Sequence, residues 1–155
     1  MLFELNKFKT QNPLKKLINL TNDDRQKQFI KALCRGCEKS DTVVYYLCLD
    51  GNICGFIGLS SSRVDNIPCL HMDYLFVKEE YRKIIYAELD NKKISEYLIS
   101  ISMALAMEVK EKIGLRWLVL NPDNDELEKF YIDSFKFVKH KTKKEKLVYL
   151  FMALS

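Results

Sequence analysis

The sequence is poor in the two residues that punctuate disordered and repetitive chains, with five glycines and three prolines in 155 residues. Composition therefore excludes a collagen-like, low-complexity or linker-dominated protein. Long apolar runs are missing as well. The longest, YLISISMALAMEV at residues 97–109, covers 13 residues and contains Glu108, too short to cross a bilayer and better read as a buried helix. The N-terminal MLFELNKFKT carries charges among its apolar residues and has no apolar stretch followed by small residues, so no signal peptide is expected. Histidine occurs twice, and cysteine five times, an odd number. Cys48, Cys54 and Cys69 fall in strand-like apolar runs, which suits reduced thiols packed as small hydrophobes in a reducing cytoplasm. Cys34 and Cys37 form CRGC, but no second CxxC or clustered histidine pair supplies the remaining ligands of a tetrahedral zinc site, and no metal is expected.

Charge of one sign does not dominate either. The net charge is +4, and lysines and arginines are interspersed with carboxylates. Such a balance accepts an anionic ligand without requiring nucleic acid or a membrane surface. The one dense basic run, KFVKHKTKKEK at residues 136–146, holds six lysines and a histidine and reads as the solvated turn of a late hairpin.

Nearly half of the residues are apolar, and this length buries one sizeable core without disulfide or metal staples. A first strand is expected near Leu2 to Phe8, followed by helical patterning from Pro13 to about Cys37, with Thr21 or Asn22 capping its second helix. TVVYYLCL and ICGFIGLSSSRV read as strands joined by Asp50-Gly51-Asn52, a hairpin signal, and a third antiparallel run extends from Cys69 to Val77 after an Asn66-Ile67-Pro68 turn. Apolar residues at Ile94, Tyr97, Leu98, Ile101, Leu105 and Val109 define one helix face, which Gly114 ends. LRWLVL is then a buried strand, residues 124–134 a short helix with acids in its first turn, and FKFVKH and LVYLFMAL two final strands. A helix between the fourth strand and a parallel fifth makes a right-handed crossover. The fold class is α/β (α+β), a mixed sheet of about seven strands with about four helices.

This order resembles the GNAT superfamily of acyl-CoA-dependent N-acetyltransferases, and the resemblance covers nearly the whole chain as a single domain. Leu75-Phe76-Val77 followed by Lys78, Glu79, Glu80, Tyr81 and Arg82 resembles the family's fourth strand and cofactor loop. NDELEKFY, Asn124 to Tyr131, resembles its N-x-x-A-x-x-F-Y helix, and GFIGLS at 55–60 its third-strand pattern. The departures lie in the loop. Where the family has R-G-x-G-I-G/A, this chain has an extra segment from Lys83 to about Leu89, then DNKKISEYLI at residues 90–99, with no glycine. Lys136-Phe137 also replaces the usual Gly-Phe.

The resemblance implies acetyl-CoA as acyl donor, with its pyrophosphate at the helix beginning near Lys93. It implies cofactor contacts from Leu75, Phe76, Val77, Arg82, Lys92, Lys93, Ile94, Ser95 and Asn124. A helix N-terminus presents unpaired amides with or without a preceding glycine, and flanking lysines add charge. Asp90-Asn91 is also readable as a plain helix cap and the lysines as a solvated rim. Tyr131 matches the tyrosine that protonates the departing thiolate. In place of the strand glutamate that often serves as base, His71 and Asp73 alternate onto one face, and His71 is also readable as a structural histidine. The implied reaction is direct attack of a primary amine on the thioester through a tetrahedral intermediate. The expected partner is a small-molecule or protein amine, with a homodimer left open. Two alternatives stay open beside it: a GNAT-type toxin acetylating aminoacyl-tRNA, with the lysine run as an RNA contact, and a non-catalytic acyl-CoA-binding domain.

Overall fold

The computed structural model describes residues 1–8, 13–142 and 148–155. The strands are β1 (Phe3–Lys7), β2 (Thr42–Leu49), β3 (Asn52–Val64), β4 (Ile67–Val77), β5 (Trp117–Leu120), β6 (Val138–Lys141) and β7 (Val148–Ala153). The helices among the described residues are α1 (Leu14–Leu17), α2 (Asp24–Glu38), α3 (Ile94–Ile113) and α4 (Asp125–Phe135), joined by short 3-10 turns. The strands form a seven-stranded sheet in the order β1-β2-β3-β4-β5-β7-β6. β4 and β5 are parallel, as the intervening helix requires, and β2–β3, β5–β7 and β6–β7 are antiparallel. The expected mixed α/β sheet is therefore present. Part of the basic run 136–146 lies outside the described residues.

The chain forms two compact units: Met1–Ser60 with Asp73–Ile101, and Ser61–Met72 with Ser102–Ser155. In the first, Leu17, Ile30, Leu33, Cys34, Val44, Phe56 and Phe76 form a buried cluster. α2 reaches it because Ile30, Leu33, Cys34 and Cys37 recur at helical spacing on one face. Its N-cap is Asp23, just beyond the expected Thr21 or Asn22, with the Asp23 carboxylate accepting from the Gln26 amide at 2.9 Å. The Thr21 hydroxyl accepts from the Asp23 amide at 3.1 Å, so it supports the cap from one position back. The Asp50-Gly51 hairpin forms with both residues left-handed, at φ 50° and 85°.

Two glycines set which helix covers which face of β3. A Cβ at Gly58 would collide with the Leu33 side chain of α2, and one at Gly55 would lie 2.9 Å from the Phe76 carbonyl oxygen and 3.1 Å from Ile94 of α3. Positions 55 and 58 have opposite parity on the strand, so α2 and the start of α3 pack on opposite faces.

In the second unit, Val64, Cys69 and Val119 are buried against Ile67, Trp117, Tyr149 and Phe151. The Trp117 and Phe151 rings stack at 4.1 Å. The turn into β4 is Asp65-Asn66 (φ 46° and 67°), and the strand begins at Ile67, earlier than expected. Pro68 is accommodated within it because the residue needs to supply only an acceptor there: its carbonyl takes the Arg116 amide at 3.0 Å. The β4–β5 ladder runs from Cys69↔Trp117 to His71↔Val119, while β4 continues to Val77.

Candidate active site

The end of β4 is shaped by an extra residue. Thr42↔Ser60, Val44↔Gly58 and Tyr46↔Phe56 are register partners that point to the α2 face. Asp73 joins that face, accepting from the Thr42 hydroxyl at 3.0 Å and the Ser60 hydroxyl at 2.7 Å. Tyr74 joins it too, stacked on Phe29 at 5.3 Å and edge-on to Phe56 at 5.9 Å. Consecutive residues of a regular strand point to opposite faces, so Asp73-Tyr74 is a β-bulge. Beyond it, the Lys78 amide donates to the Cys54 carbonyl at 2.8 Å and the Phe76 carbonyl oxygen faces Gly55, so the backbone groups of Phe76 and Lys78 are turned toward β3. By alternation, Leu75 and Val77 direct theirs to the opposite edge. Of the three strand residues expected to offer backbone groups to a cofactor, Leu75 is so directed, Val77 is so directed with its carbonyl already accepting from Arg82 Nε at 2.6 Å, and Phe76 is not.

The glycine-free loop reaches the required backbone by other means. Lys83, Asp90 and Asn91 are left-handed, at φ 63°, 56° and 57°. Asp and Asn tolerate that region better than other non-glycine residues because their short polar side chains bond locally. The inserted segment is closed by a bridge between Tyr86 and Lys92, with the Tyr86 amide on the Lys92 carbonyl at 3.0 Å, and is anchored by burial of Tyr86 and Leu89. Asn91→Gly is accordingly expected to leave stability unchanged or slightly raised, and Asn91→Val to lower it by about 1–2 kcal/mol, read by urea denaturation. Equal stability of the two variants would contradict the strain argument.

Lys93 stands at the N-cap of α3, its carbonyl accepting from the Tyr97 amide at 2.9 Å. Its own amide donates to the Glu96 carboxylate at 3.1 Å, half of a capping box. Glu96 thus takes one backbone donor at this terminus. The amides of Ile94, Ser95 and Glu96 in the first turn have no intrahelical acceptor by geometry, and they combine with the dipole into an anion-binding end. Ile94 is buried while Lys92, Lys93 and Ser95 are partly exposed.

Arg82, expected at a phosphate, is drawn back: its Nε donates to the Val77 carbonyl at 2.6 Å and its guanidinium lies 5.6 Å from the Phe76 ring centre. Phe76 belongs to the α2-side core, so Arg82 sits on that face and not on the α3 face. There it borders a cleft of about 610 Å³ whose walls include Asn19, Thr21, Gln26, Phe76, Glu79 and Arg82. The 3-10 turn at Ile18–Leu20 and Glu79 carry no pattern in the sequence that marks them for this cleft. The one available signal was the run Asn19-Leu20-Thr21-Asn22-Asp23, polar residues clustered ahead of a helix.

The remaining candidates are placed as follows. Asp73, proposed with His71 as a base, has its carboxylate engaged by two hydroxyls. His71 Nε2 lies 2.9 Å from Asn121 Oδ1, and its ring meets Tyr149 edge-on. Asn124 caps α4, its side chain accepting from the Leu127 amide at 2.8 Å. Tyr131 is buried, packed edge-on against Phe130 and Phe137, and burial pushes its phenol up to about 12. Burial likewise pushes the Cys34 thiol up to about 12 and raises Cys37, with Asp73 adding to the latter. Raised thiols are poor nucleophiles and ligands at neutral pH, the reverse of what a redox or zinc CxxC needs. Among the described residues no cluster of three His, Cys, Asp or Glu could hold a metal, and no helix is long and apolar enough to cross a membrane.

A bulged fourth strand running beside the N-terminus of the helix that leads to a parallel fifth strand defines the GNAT fold, and this chain has that fold. No family model and no curated protein matches the sequence. Among solved structures it is similar to a tyrosine-to-phenylalanine mutant of the AtaT toxin bound to the C-terminus of the antitoxin AtaR, at 17% identity and TM-score 0.73 over 99% of this chain and 92% of that one. It is similar to AtaTR bound with AcCoA at 16% identity and TM-score 0.74, covering 97% and 92%. AtaT complexed with acetyl-methionyl-tRNAfMet gives 15% and 0.72, covering 97% and 94%.

Proposed function

We propose that residues 1–155 form one N-acetyltransferase domain that moves an acetyl group from acetyl-CoA to a primary amine. The observation that carries the proposal is the bulge at Asp73-Tyr74, which sends the backbone groups of Leu75 and Val77 to the edge away from β3 while the α3 N-terminus follows on the α3 face. The donor set fits a diphosphate ester: first-turn amides, a small side chain at Ser95, and two partly exposed lysines, Lys92 and Lys93, immediately before the helix. Bound there, acetyl-CoA supplies the activated acyl group.

The chain's own part follows from these groups. The Leu75 amide is the donor assigned to polarise the thioester carbonyl, as a preorganised dipole in place of water. Tyr131, held protonated by burial, is assigned the proton that the leaving sulfur takes up. With both Asp73 oxygens in hydrogen bonds, His71 is the remaining candidate to accept the ammonium proton, directly or through water. The cleft on the α2 face is the acceptor side.

The test pairs calorimetric titration of acetyl-CoA with thiol release over a panel of amines. Binding with turnover is the expected result. Binding without turnover would instead make this an acyl-CoA-binding domain, and absence of both would remove the acetyl-CoA reading.

One specific observation favours a second reading, in which the amine is that of an aminoacyl-tRNA: structures similar over 97–99% of this chain include the AtaT toxin, in one case complexed with acetyl-methionyl-tRNAfMet. Under that reading, induction arrests growth and Tyr131→Phe relieves the arrest.

A further inference from the structure

The cleft on the α2 face carries more chemistry than the transfer reaction uses. Its charged residues sort by what already engages them. Lys78 Nζ is 2.8 Å from Glu80, so these two largely neutralise each other. Asp23 is committed to the α2 cap, and the Thr21 hydroxyl donates to Gln26 Oε1 at 2.6 Å. Among the described residues, Glu79 and the two terminal nitrogens of Arg82 are left without a side-chain partner.

Arg82 is also preorganised. Its Nε is fixed on the Val77 carbonyl and its plane is held near the Phe76 ring, which removes rotamer freedom and leaves the outer edge of the guanidinium for a ligand. A planar fork of that kind matches carboxylate and phosphate oxygens and adds little to recognition of a neutral or purely cationic amine. The large apolar liners of the cleft are Leu20 and Phe76, and the latter is covered by Arg82, so the walls favour a hydrophilic ligand over an arylalkylamine.

We infer that the acceptor is a primary amine carrying its own anionic group, a carboxylate or a phosphate, with Arg82 anchoring the anion and Glu79 facing the ammonium. Naming that ligand an acceptor rests on the transferase reading, whereas its recognition by the cleft does not. Arg82 is thereby a specificity-determining residue of the α2 face rather than a ligand of the donor's phosphates.

The experiment is a nitrogen-15 NMR titration of the full chain, following the Arg82 Nε resonance, with O-phosphoethanolamine against ethanolamine and β-alanine against propylamine. Acetyl-CoA affinity is measured in parallel by calorimetry. Each anionic amine of the preferred kind is expected to bind about tenfold to a hundredfold more tightly than its uncharged-tail counterpart. In the variants, which lack the Arg82 Nε resonance, amine binding is read by calorimetric titration of the same four compounds, and the preference should collapse in Arg82→Gln and return in part in Arg82→Lys, which keeps the charge and loses the fork. Preference for the phosphate pair alone, or the carboxylate pair alone, identifies the anion. Equal binding within both pairs, no binding of any of the four, or a preference unchanged by Arg82→Gln would overturn the inference. Acetyl-CoA binding without amine discrimination sinks the cleft assignment and leaves the transferase reading standing. Discrimination without acetyl-CoA binding does the reverse.

Discussion

Tyr131→Phe is expected to lower acetyl transfer about a hundredfold while leaving acetyl-CoA affinity and thermal stability near those of the parent. The residue is 7% exposed, and Phe130 and Phe137 meet its ring edge-on at 5.4 and 5.7 Å. Those contacts belong to the ring and survive loss of the hydroxyl, so the substitution isolates the proton. Burial pushes the phenol up to about 12, which keeps it protonated at any physiological pH but also makes it a weaker acid than a free phenol. A phenolate is a stronger base than an ordinary thiolate, so transfer to sulfur runs uphill, and the effect falls at the low end of what general acids contribute. Single-turnover kinetics with acetyl-CoA and a competent amine measure it. A loss below about threefold would assign the proton to another donor.

The same shift sets a stability window. The folded state holds the proton more tightly than the unfolded chain, whose phenol titrates near 10. The contribution is fully present below that value and is lost as pH rises through about 12. Tyr131→Phe should remove this alkaline loss, seen as flatter melting temperatures in that range.

Ser95→Glu is expected to weaken acetyl-CoA binding about a hundredfold or more and at the same time to raise the melting temperature slightly. A carboxylate in the first turn of α3 completes the dipole and stabilises the helix by about 0.3–1 kcal/mol. The same carboxylate faces a diphosphate, and a like-charge juxtaposition costs several kcal/mol. The opposite signs separate a binding defect from a folding defect. Calorimetry and a thermal melt on one preparation decide it, and undiminished acetyl-CoA affinity would place the phosphates somewhere other than this helix end. Glu96, already on the Lys93 amide at 3.1 Å, marks how much negative charge the terminus carries by nature.

Much of the scaffold was legible because it rests on short-range rules. The α3 face from Ile94 to Val109, the left-handed turn at Asp50-Gly51 and the stop at Gly114, φ 80°, each follow from residues within a few positions of one another. The loop showed how local chemistry can also mislead. The absence of glycine from residues 90–99 stood as a departure from the family loop, yet Asp90 and Asn91 adopt the left-handed backbone that glycine supplies elsewhere. Their identity as Asp and Asn, the next best residues for that region, was the signal.

Arg82 and Asp73 were legible as polar residues beside the fourth strand, but not in their roles. Asp73 meets Thr42 and Ser60 across 31 and 13 positions of chain, and Arg82 turns back five residues to the Val77 carbonyl. Sequence patterning determined the order of elements, the parallel crossover and the amide-rich start of the central helix, because periodicity and turn chemistry act between neighbours. Only the tertiary structure decided that β4 bulges at Asp73, that the Phe76 carbonyl faces β3, and that Arg82 lies on the α2 face. Each of those outcomes is a contact between groups that no local rule brings together, and their geometry exists once the strands have paired.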